Sequence, residues 1–271
     1  MSEIKSTPDA QSLQALLAEL PANLLAGRRV LVTGAARGLG LAFGKCIAKA
    51  GGRVVIADIL ADLAQSEAAA LRDAGFDVQA LAIDLSSPES IEAGAAEASR
   101  LLGGLDGLVN NAAITNSGGR DVHELDVATW DRVMNVNVRG TWLMSRACHR
   151  ALADSGRGAI VNLASDTALW GAPKLLAYAS SKGAVVSLTR SLSRELGGDN
   201  ITVNAVAPGL TLVEATEYVP AARHQFYMDG RAIQREQQAA DVCGAVLFAL
   251  SGLSRFVTGQ LLAVNGGFVM H

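Results

Sequence analysis

The chain is predicted to fold as one α/β domain, a doubly wound parallel sheet of about seven strands with helices on both faces. Three observations carry this. Short aliphatic, β-branched runs recur along the chain without polar alternation, as strands buried on both faces require. Segments long enough for a helix separate them, and such strand–helix alternation gives a parallel sheet. Half of the 271 residues are hydrophobic and 18% are charged, enough apolar material to fill the core that this sheet needs.

Residues 1–27 stand apart as a helical extension, and the domain runs over 28–271. Thr7-Pro8-Asp9 reads as a helix start, with Thr7 as N-cap and Pro8 at the first helical position. Leu13, Leu16, Leu17 and Leu20 follow at helical spacing until Pro21 ends the run. The apolar face so formed is expected to pack on its own domain or on a neighbouring subunit. The strand candidates are Val30 to Val32, Val54 to Ala57, Val78 to Ile83, Leu108-Val109, Ala159 to Val161, Ile201 to Val203 and Leu261 to Val264. Helices are predicted over 40–50, 60–74, 88–102, 128–152, 174–196 and 239–250. Between Gly209 and Gln238 the rhythm breaks. This stretch is longer than an ordinary connection and carries Tyr218, Phe226 and Tyr227, so 209–238 is read as a lid over the ligand edge of the sheet.

Composition removes several function classes. A formal charge of −3 argues against nucleic acid or an anionic membrane as partner, since both select basic surfaces. Cys46, Cys148 and Cys243 are too few and too far apart for a disulfide framework or a zinc site, and read as small buried hydrophobes. The four histidines, His123, His149, His224 and His271, show no metal-ligand spacing, so no metal is expected. No 18-residue apolar run occurs, and a soluble cytoplasmic protein acting on a small molecule is the expectation.

The first strand candidate leads into Thr33-Gly34-Ala35-Ala36-Arg37-Gly38-Leu39-Gly40, and a helix follows. Glycines there let the backbone turn sharply and approach a pyrophosphate, which a helix N-terminus favours. The spacing is G-x-x-x-G-x-G rather than the commoner G-x-G-x-x-G. Asp58 closes the second strand, where a carboxylate can accept both hydroxyls of a ribose and repels a 2′-phosphate. Arg37 pulls toward that phosphate, but a bare carboxylate facing it is a direct penalty, so NAD is expected over NADP. Asp84-Leu85 ends the third strand, where a carboxylate can meet an adenine amino group. Asn110-Asn111-Ala112-Ala113 ends the fourth, where small residues allow close approach to a second ribose.

Tyr178 and Lys182 stand four apart in a predicted helix and so share a face. A phenol titrates at about 10 in water, and a neighbouring cation favours the phenolate, which suits an acid/base near neutral pH. Ser165 ends the preceding strand, where its hydroxyl can hold a substrate oxygen. Trp170, with Ile114 and the lid aromatics, can form a mostly apolar substrate pocket.

Taken in order, TGAARGLG (33–40), Asp58, Asp84-Leu85, NNAA (110–113), VNV with Asn137, IVNLAS with Ser165, YASSK (178–182), NAVAPG (204–209) and VTGQLLAVNGG (257–267) resemble the short-chain dehydrogenase/reductase (SDR) family from about Leu25 onward. The resemblance implies a Rossmann-type fold and hydride transfer with a nicotinamide cofactor. It implies Tyr178 as general acid/base, and Lys182 lowering its pKa and bonding the nicotinamide ribose. Ser165 would orient the reacting oxygen, and Asn137, at a helix irregularity, would hold a water relaying protons from Lys182. Gly38, Leu39 and Gly40, with Gly34, would line the pyrophosphate and Asn111 with Ala112 the ribose. Pro208, Gly209 and Thr211 would flank the carboxamide. Two departures stand out. Asp166 follows Ser165 where many relatives have a second serine, and Thr211 and Val213 replace an Ile and a Thr. The expected function is an NAD-dependent oxidoreductase interconverting a secondary alcohol and a ketone, in a homotetramer or dimer. The alternatives are an NADPH-dependent reductase of 3-oxoacyl thioesters and a non-catalytic nucleotide-sensing module.

Overall fold

The structure, a computed structural model, describes residues 10–116 and 119–270. The Thr7-Pro8-Asp9 helix start and His271 lie outside the described residues. Seven strands, β1 (Arg29–Thr33), β2 (Arg53–Asp58), β3 (Val78–Ala82), β4 (Gly107–Asn110), β5 (Ala159–Leu163), β6 (Thr202–Pro208) and β7 (Leu261–Val264), form one sheet in the order β3-β2-β1-β4-β5-β6-β7. Every pairing is parallel. The helices are α1 (Ala10–Glu19), α2 (Gly38–Lys49), α3 (Ala61–Asp73), α4 (Pro88–Leu102), α5 (Val127–Met134), α6 (Thr141–Asp154), α7 (Thr167–Trp170), α8 (Leu176–Glu195), α9 (Ala221–Gly230) and α10 (Ala239–Leu250).

The two faces of the sheet explain why the strand runs lack polar alternation. Successive strand residues point to opposite sides. Val30, Val32, Val54 and Ile56 pack on one face with Phe43 and Ile47 of α2 and Val242 and Leu247 of α10. Leu31, Val55 and Ala57 pack on the other with Ile91 of α4, Met144 of α6 and Leu192 of α8. Leu13, Leu16, Leu17 and Leu20 of the amino-terminal segment lie against the first of these cores. Among the described residues no helix is long and apolar enough to cross a membrane.

Three predicted elements differ in detail. The segment 209–238 is not a bare loop: it contains α9 and a 3₁₀ turn, Glu214–Thr216. Pro220 precedes the first turn of α9, but its sequence AARHQFYMDG has no continuous apolar stripe to announce a helix. The helix predicted over 128–152 is interrupted by a π-helical stretch, Asn135–Gly140. The helix predicted from 174 begins at Leu176, because Lys174 takes a left-handed conformation with φ 62°.

The amino and carboxyl ends of the strands are treated differently. At the amino ends, the fully buried Asp106 carboxylate accepts from Arg29 Nε at 2.8 Å and Arg157 Nε at 2.9 Å. This triad ties the starts of β1, β4 and β5 together. Burial works to raise the Asp106 pKa, but the hydrogen bonds from Arg29 and Arg157 outweigh it and bring it down to about 2. At the carboxyl ends the strands open into a cavity, as expected where strand order reverses between β1 and β4. Because the native pKa lies below that of the unfolded chain, the triad stabilises above the ordinary carboxylate range and its contribution is lost as pH falls through about 2. Asp106→Asn, leaving two buried-edge cations without their anion, is expected to cost about 3 kcal/mol in urea unfolding at pH 7. The gap from the parent protein should close as the pH is taken from 4 toward 2.

Candidate active site

The cavity beyond the carboxyl ends of the strands has a volume of about 1260 Å³. One half is built from the glycine turn. Gly34 and Gly38 have positive φ (63° and 57°), which side-chain-bearing residues avoid. A Cβ on Gly40 would lie 2.1 Å from the Gly34 carbonyl oxygen and 2.5 Å from Asn111 Nδ2, so no side chain fits there. Asn111 Nδ2 donates to the carbonyls of Thr33 (3.0 Å) and Gly34 (2.8 Å), fastening the turn to the end of β4. The Asn111 amide donors are thus taken up by the glycine turn rather than left to a ribose. Gly38 then opens α2, whose N-terminus faces the cavity along with Arg37, Leu39 and Gly40.

Asp58 sits at the end of β2 with its carboxylate fixed from two sides. Its Oδ2 accepts from Ala36 N and its Oδ1 from Leu60 N, each at 3.0 Å. One Asp84 oxygen is engaged locally by Ser86 N and Oγ, at 2.8 and 2.7 Å. Leu85, Ala112, Pro208, Gly209 and Thr211 complete this wall. A tight glycine cradle, a helix N-terminus and a fixed carboxylate at the adjoining strand end together fit an adenine dinucleotide.

The other half carries the residues expected from sequence to manage the proton. Tyr178 lies in the first turn of α8 and lines the cavity with Ser165, whose hydroxyl is close enough to favour the ionised phenol. Ser165 also accepts from Thr167 Oγ1 at 2.9 Å. Lys182 is buried, and its Nζ donates to the Leu163 carbonyl at 2.6 Å while lying 5.7 Å from the centre of the Tyr178 ring. Burial pushes the ammonium down to about 8. It also raises the Tyr178 phenol above its ordinary value, and the bond from Ser165 only partly offsets this. The expectation that Lys182 sets a lowered phenol pKa is therefore corrected for the protein alone, because the ammonium is aimed at a β5 carbonyl and desolvation of the phenol dominates.

Asn137 and Trp170, of the residues proposed from sequence, do not line the cavity. Asn137 lies in the π-helical stretch; its Oδ1 accepts from Ile114 N (2.8 Å) and its Nδ2 donates to Ile114 O and Ser181 Oγ, both at 3.0 Å. It clamps the cavity wall at Ile114 to the helix that carries Tyr178 and Lys182. A relay through Asn137 would have to use its main-chain carbonyl, which accepts from Thr141 Oγ1 at 2.8 Å. Trp170 stands one layer back, in a cluster with Phe226, Tyr227 and Phe268. Its Nε1 donates to the Tyr227 hydroxyl at 3.3 Å, and Tyr227 donates to Asp166 Oδ1 at 2.8 Å. Sequence reasoning noted Asp166 only as a departure. In the structure it is fully buried, Oδ2 lacks a protein partner, and burial pushes its carboxyl up to about 7. Asp166 and Tyr227 are 61 residues apart and no periodicity links them.

The comparisons with known proteins agree with this architecture. Residues 34–269 match the family model described as enoyl-(acyl carrier protein) reductase. The chain belongs to the short-chain dehydrogenase/reductase family and is an NAD(P)-dependent oxidoreductase acting on secondary alcohols. It is 36% identical over 255 residues to 2-(S)-hydroxypropyl-CoM dehydrogenase 3 of Xanthobacter autotrophicus, covering 90% of this chain and 98% of that protein. It is also 36% identical over 243 residues to cis-4-hydroxycyclohexanecarboxylate dehydrogenase of Sinomonas cyclohexanicum, covering 90% and 97%. A solved structure from Sinorhizobium meliloti 1021, assigned to the short-chain alcohol dehydrogenases, superposes with a TM-score of 0.86 at 33% identity, covering 92% of this chain and 98% of that one.

Asp166 supplies a pH-dependent expectation. Its native pKa of about 7 lies above the unfolded value, so the folded state holds the proton more tightly. Stability therefore falls as the pH rises from about 4 through 7 and the buried group is made to ionise. Asp166→Asn removes that loss. Thermal melts at pH 5 and pH 8 should show a smaller drop in Tm for the variant than for the parent protein.

Proposed function

We propose that the protein is an NAD-dependent dehydrogenase that interconverts a secondary alcohol and a ketone, with Tyr178 as the proton-transferring group. The observation that supports it most directly is the pairing of Tyr178 with Ser165 in the same cavity as the Asp58-bearing dinucleotide cradle. When bound, the nicotinamide accepts or returns the hydride from the carbinol carbon. Ser165, oriented by Thr167, holds the substrate oxygen against the Tyr178 hydroxyl. In the reducing direction the neutral phenol gives its proton to the oxygen as the carbonyl becomes an alcohol; in the oxidising direction Tyr178 takes that proton back. Lys182, with its Nζ 5.7 Å from the centre of the Tyr178 ring, is the residue to bond the nicotinamide ribose in this reading. Asn137 keeps Ser181, and with it the turn of α8 between Tyr178 and Lys182, in place.

Cofactor choice follows from charge. The Asp58 carboxylate favours two ribose hydroxyls over a 2′-phosphate, while Arg37 is exposed and has no fixed partner among the described residues to aim it. The relatives' named substrates, a hydroxypropyl-CoM conjugate and a hydroxycyclohexanecarboxylate, carry a secondary hydroxyl on different carbon frameworks. This supports the reaction class rather than a particular substrate. The intact Tyr178–Lys182 pair weighs against a purely nucleotide-sensing role.

Tyr178→Phe keeps the ring and removes only the proton-bearing oxygen. It is expected to lower turnover at least about a thousandfold, within the range general acid/base groups contribute. NADH affinity, read by nicotinamide fluorescence, should stay within about twofold of the parent. Substantial residual turnover would remove Tyr178 from the proton-transfer step.

A further inference from the structure

Besides Arg132, the cavity lining carries two cations that the alcohol–ketone chemistry does not use and that neighbouring segments bring together. Arg223 lies in the first turn of α9, and Lys174 lies two residues before α8; both line the cavity that contains Tyr178. They come from segments 49 residues apart, but the fold brings them to one turn. Arg223 Nη2 donates to the carbonyl of Pro173, the residue next to Lys174, at 3.1 Å, and its guanidinium lies 5.6 Å from the centre of the Trp170 ring. Neither side chain forms an ion pair among the described residues, whereas most arginines in the molecule do or are tied to several carbonyls. Lys174 also holds a left-handed backbone conformation, φ 62°, uncommon for a residue with a side chain, so its position is fixed by its surroundings rather than by preference.

Two like charges carried by adjoining segments at the rim of one cavity make that rim attractive to an anion. The Trp170 face holds the Arg223 guanidinium in place, and one carbonyl accepts only part of its fork of donors, leaving the remainder to meet a planar, two-oxygen acceptor. The acidic groups of the cavity lie elsewhere: Asp58 and Asp84 are fixed at the ends of β2 and β3, Glu214 stands over Gly38 at the glycine turn, and Asp166 is buried against Tyr227.

We infer that the substrate is an anionic secondary alcohol or ketone, whose carboxylate or sulfonate is bound by Arg223 and Lys174 while its oxygen is bound by Ser165 and Tyr178. This rests on the dehydrogenase reading above and adds the substrate's charge to it. The two subsites make Arg223 and Lys174 specificity-determining residues, selecting both the charge and its distance from the carbinol.

The test compares a series of hydroxy acids with the hydroxyl one carbon from the chain end, from 3-hydroxybutanoate to 7-hydroxyoctanoate, with their methyl esters, under NAD-linked oxidation by the full chain. At the best chain length the acid is expected to exceed its ester at least tenfold in kcat/KM, mostly through KM. The acid's KM should rise with added salt and the ester's should not. Arg223→Gln and Lys174→Gln should each lower the acid-to-ester ratio about tenfold, with NADH affinity unchanged by fluorescence titration. Running the analogue of the best acid with a sulfonate in place of the carboxylate separates carboxylate from sulfonate as the preferred anion. The inference is overturned if esters match or exceed acids at every length, or if both variants leave the ratio unchanged. Oxidation of neutral alcohols such as 2-octanol without preference for any acid would overturn it while leaving the dehydrogenase reading intact. Failure of NADH to bind, with no alcohol oxidised, would instead remove the reading on which it rests.

Discussion

The turn after β1 closes so tightly that Gly40 packs directly on the carbonyl of Gly34, and most of the cofactor half of the site depends on that contact. Asn111 reaches across from the end of β4 to hold both turn carbonyls, so the two strands at the reversal of sheet order are locked in one geometry. With the turn fixed, Ala36 N is presented to Asp58, and the carboxylate is held at the rim rather than free to rotate. The N-terminus of α2 is aimed at the same space. A single methyl group at position 40 would separate these elements, which is why the position must be glycine.

The half of the cavity that holds Tyr178 and Ser165 is organised around a buried charge. Lys182 is carried into an enclosed site where its one hydrogen bond among the described residues goes to the Leu163 carbonyl. That carbonyl lies at the end of β5, so α8 must sit at a set height against β5 and β6. The π-helical stretch supplies the remaining constraint, because Asn137 joins Ser181 on α8 to Ile114 on the cavity wall. Burial disfavours the charged forms of both Lys182 and Tyr178, which keeps a neutral phenol in place beside Ser165. The 209–238 segment adds a separate layer: Tyr227 of α9 bonds Asp166, the neighbour of Ser165, and stacks on Phe268 with ring centres 4.3 Å apart. Helix α9, the end of β5 and the carboxyl-terminal segment therefore meet in one cluster.

Much of this was legible in the sequence, and the limits have physical causes. Strands of a doubly wound sheet are apolar on both faces, so Val30 to Val32 and Val54 to Ala57 could be read directly, and the sheet places Thr33, Asp58 and Ser165 at the edge their positions implied. The glycine turn and the Tyr178–Lys182 spacing are local patterns, and local patterns survive in one dimension. What the sequence did not disclose depends on contacts between distant segments. The Asn111 amide is taken by the glycine turn 77 and 78 residues away, and the acceptor for Lys182 is a main-chain carbonyl that no side-chain motif can mark. Helix α9 went unread because its residues face aromatic side chains on one side and solvent on the others without a regular apolar stripe. Trp170 was grouped with the pocket as one of the apolar side chains, but its indole packs against Phe226, Tyr227 and Phe268 and donates to the Tyr227 hydroxyl.

The central claim is that the cavity is built around a nicotinamide dinucleotide and that Asp58 selects its unphosphorylated form. The most direct test is a fluorescence titration of the full chain with NADH and with NADPH at matched ionic strength. The account predicts saturable binding of both, with NADH at least tenfold tighter. Tighter binding of NADPH would show that Arg37 governs the ribose site, and binding of neither would contradict the account at its root.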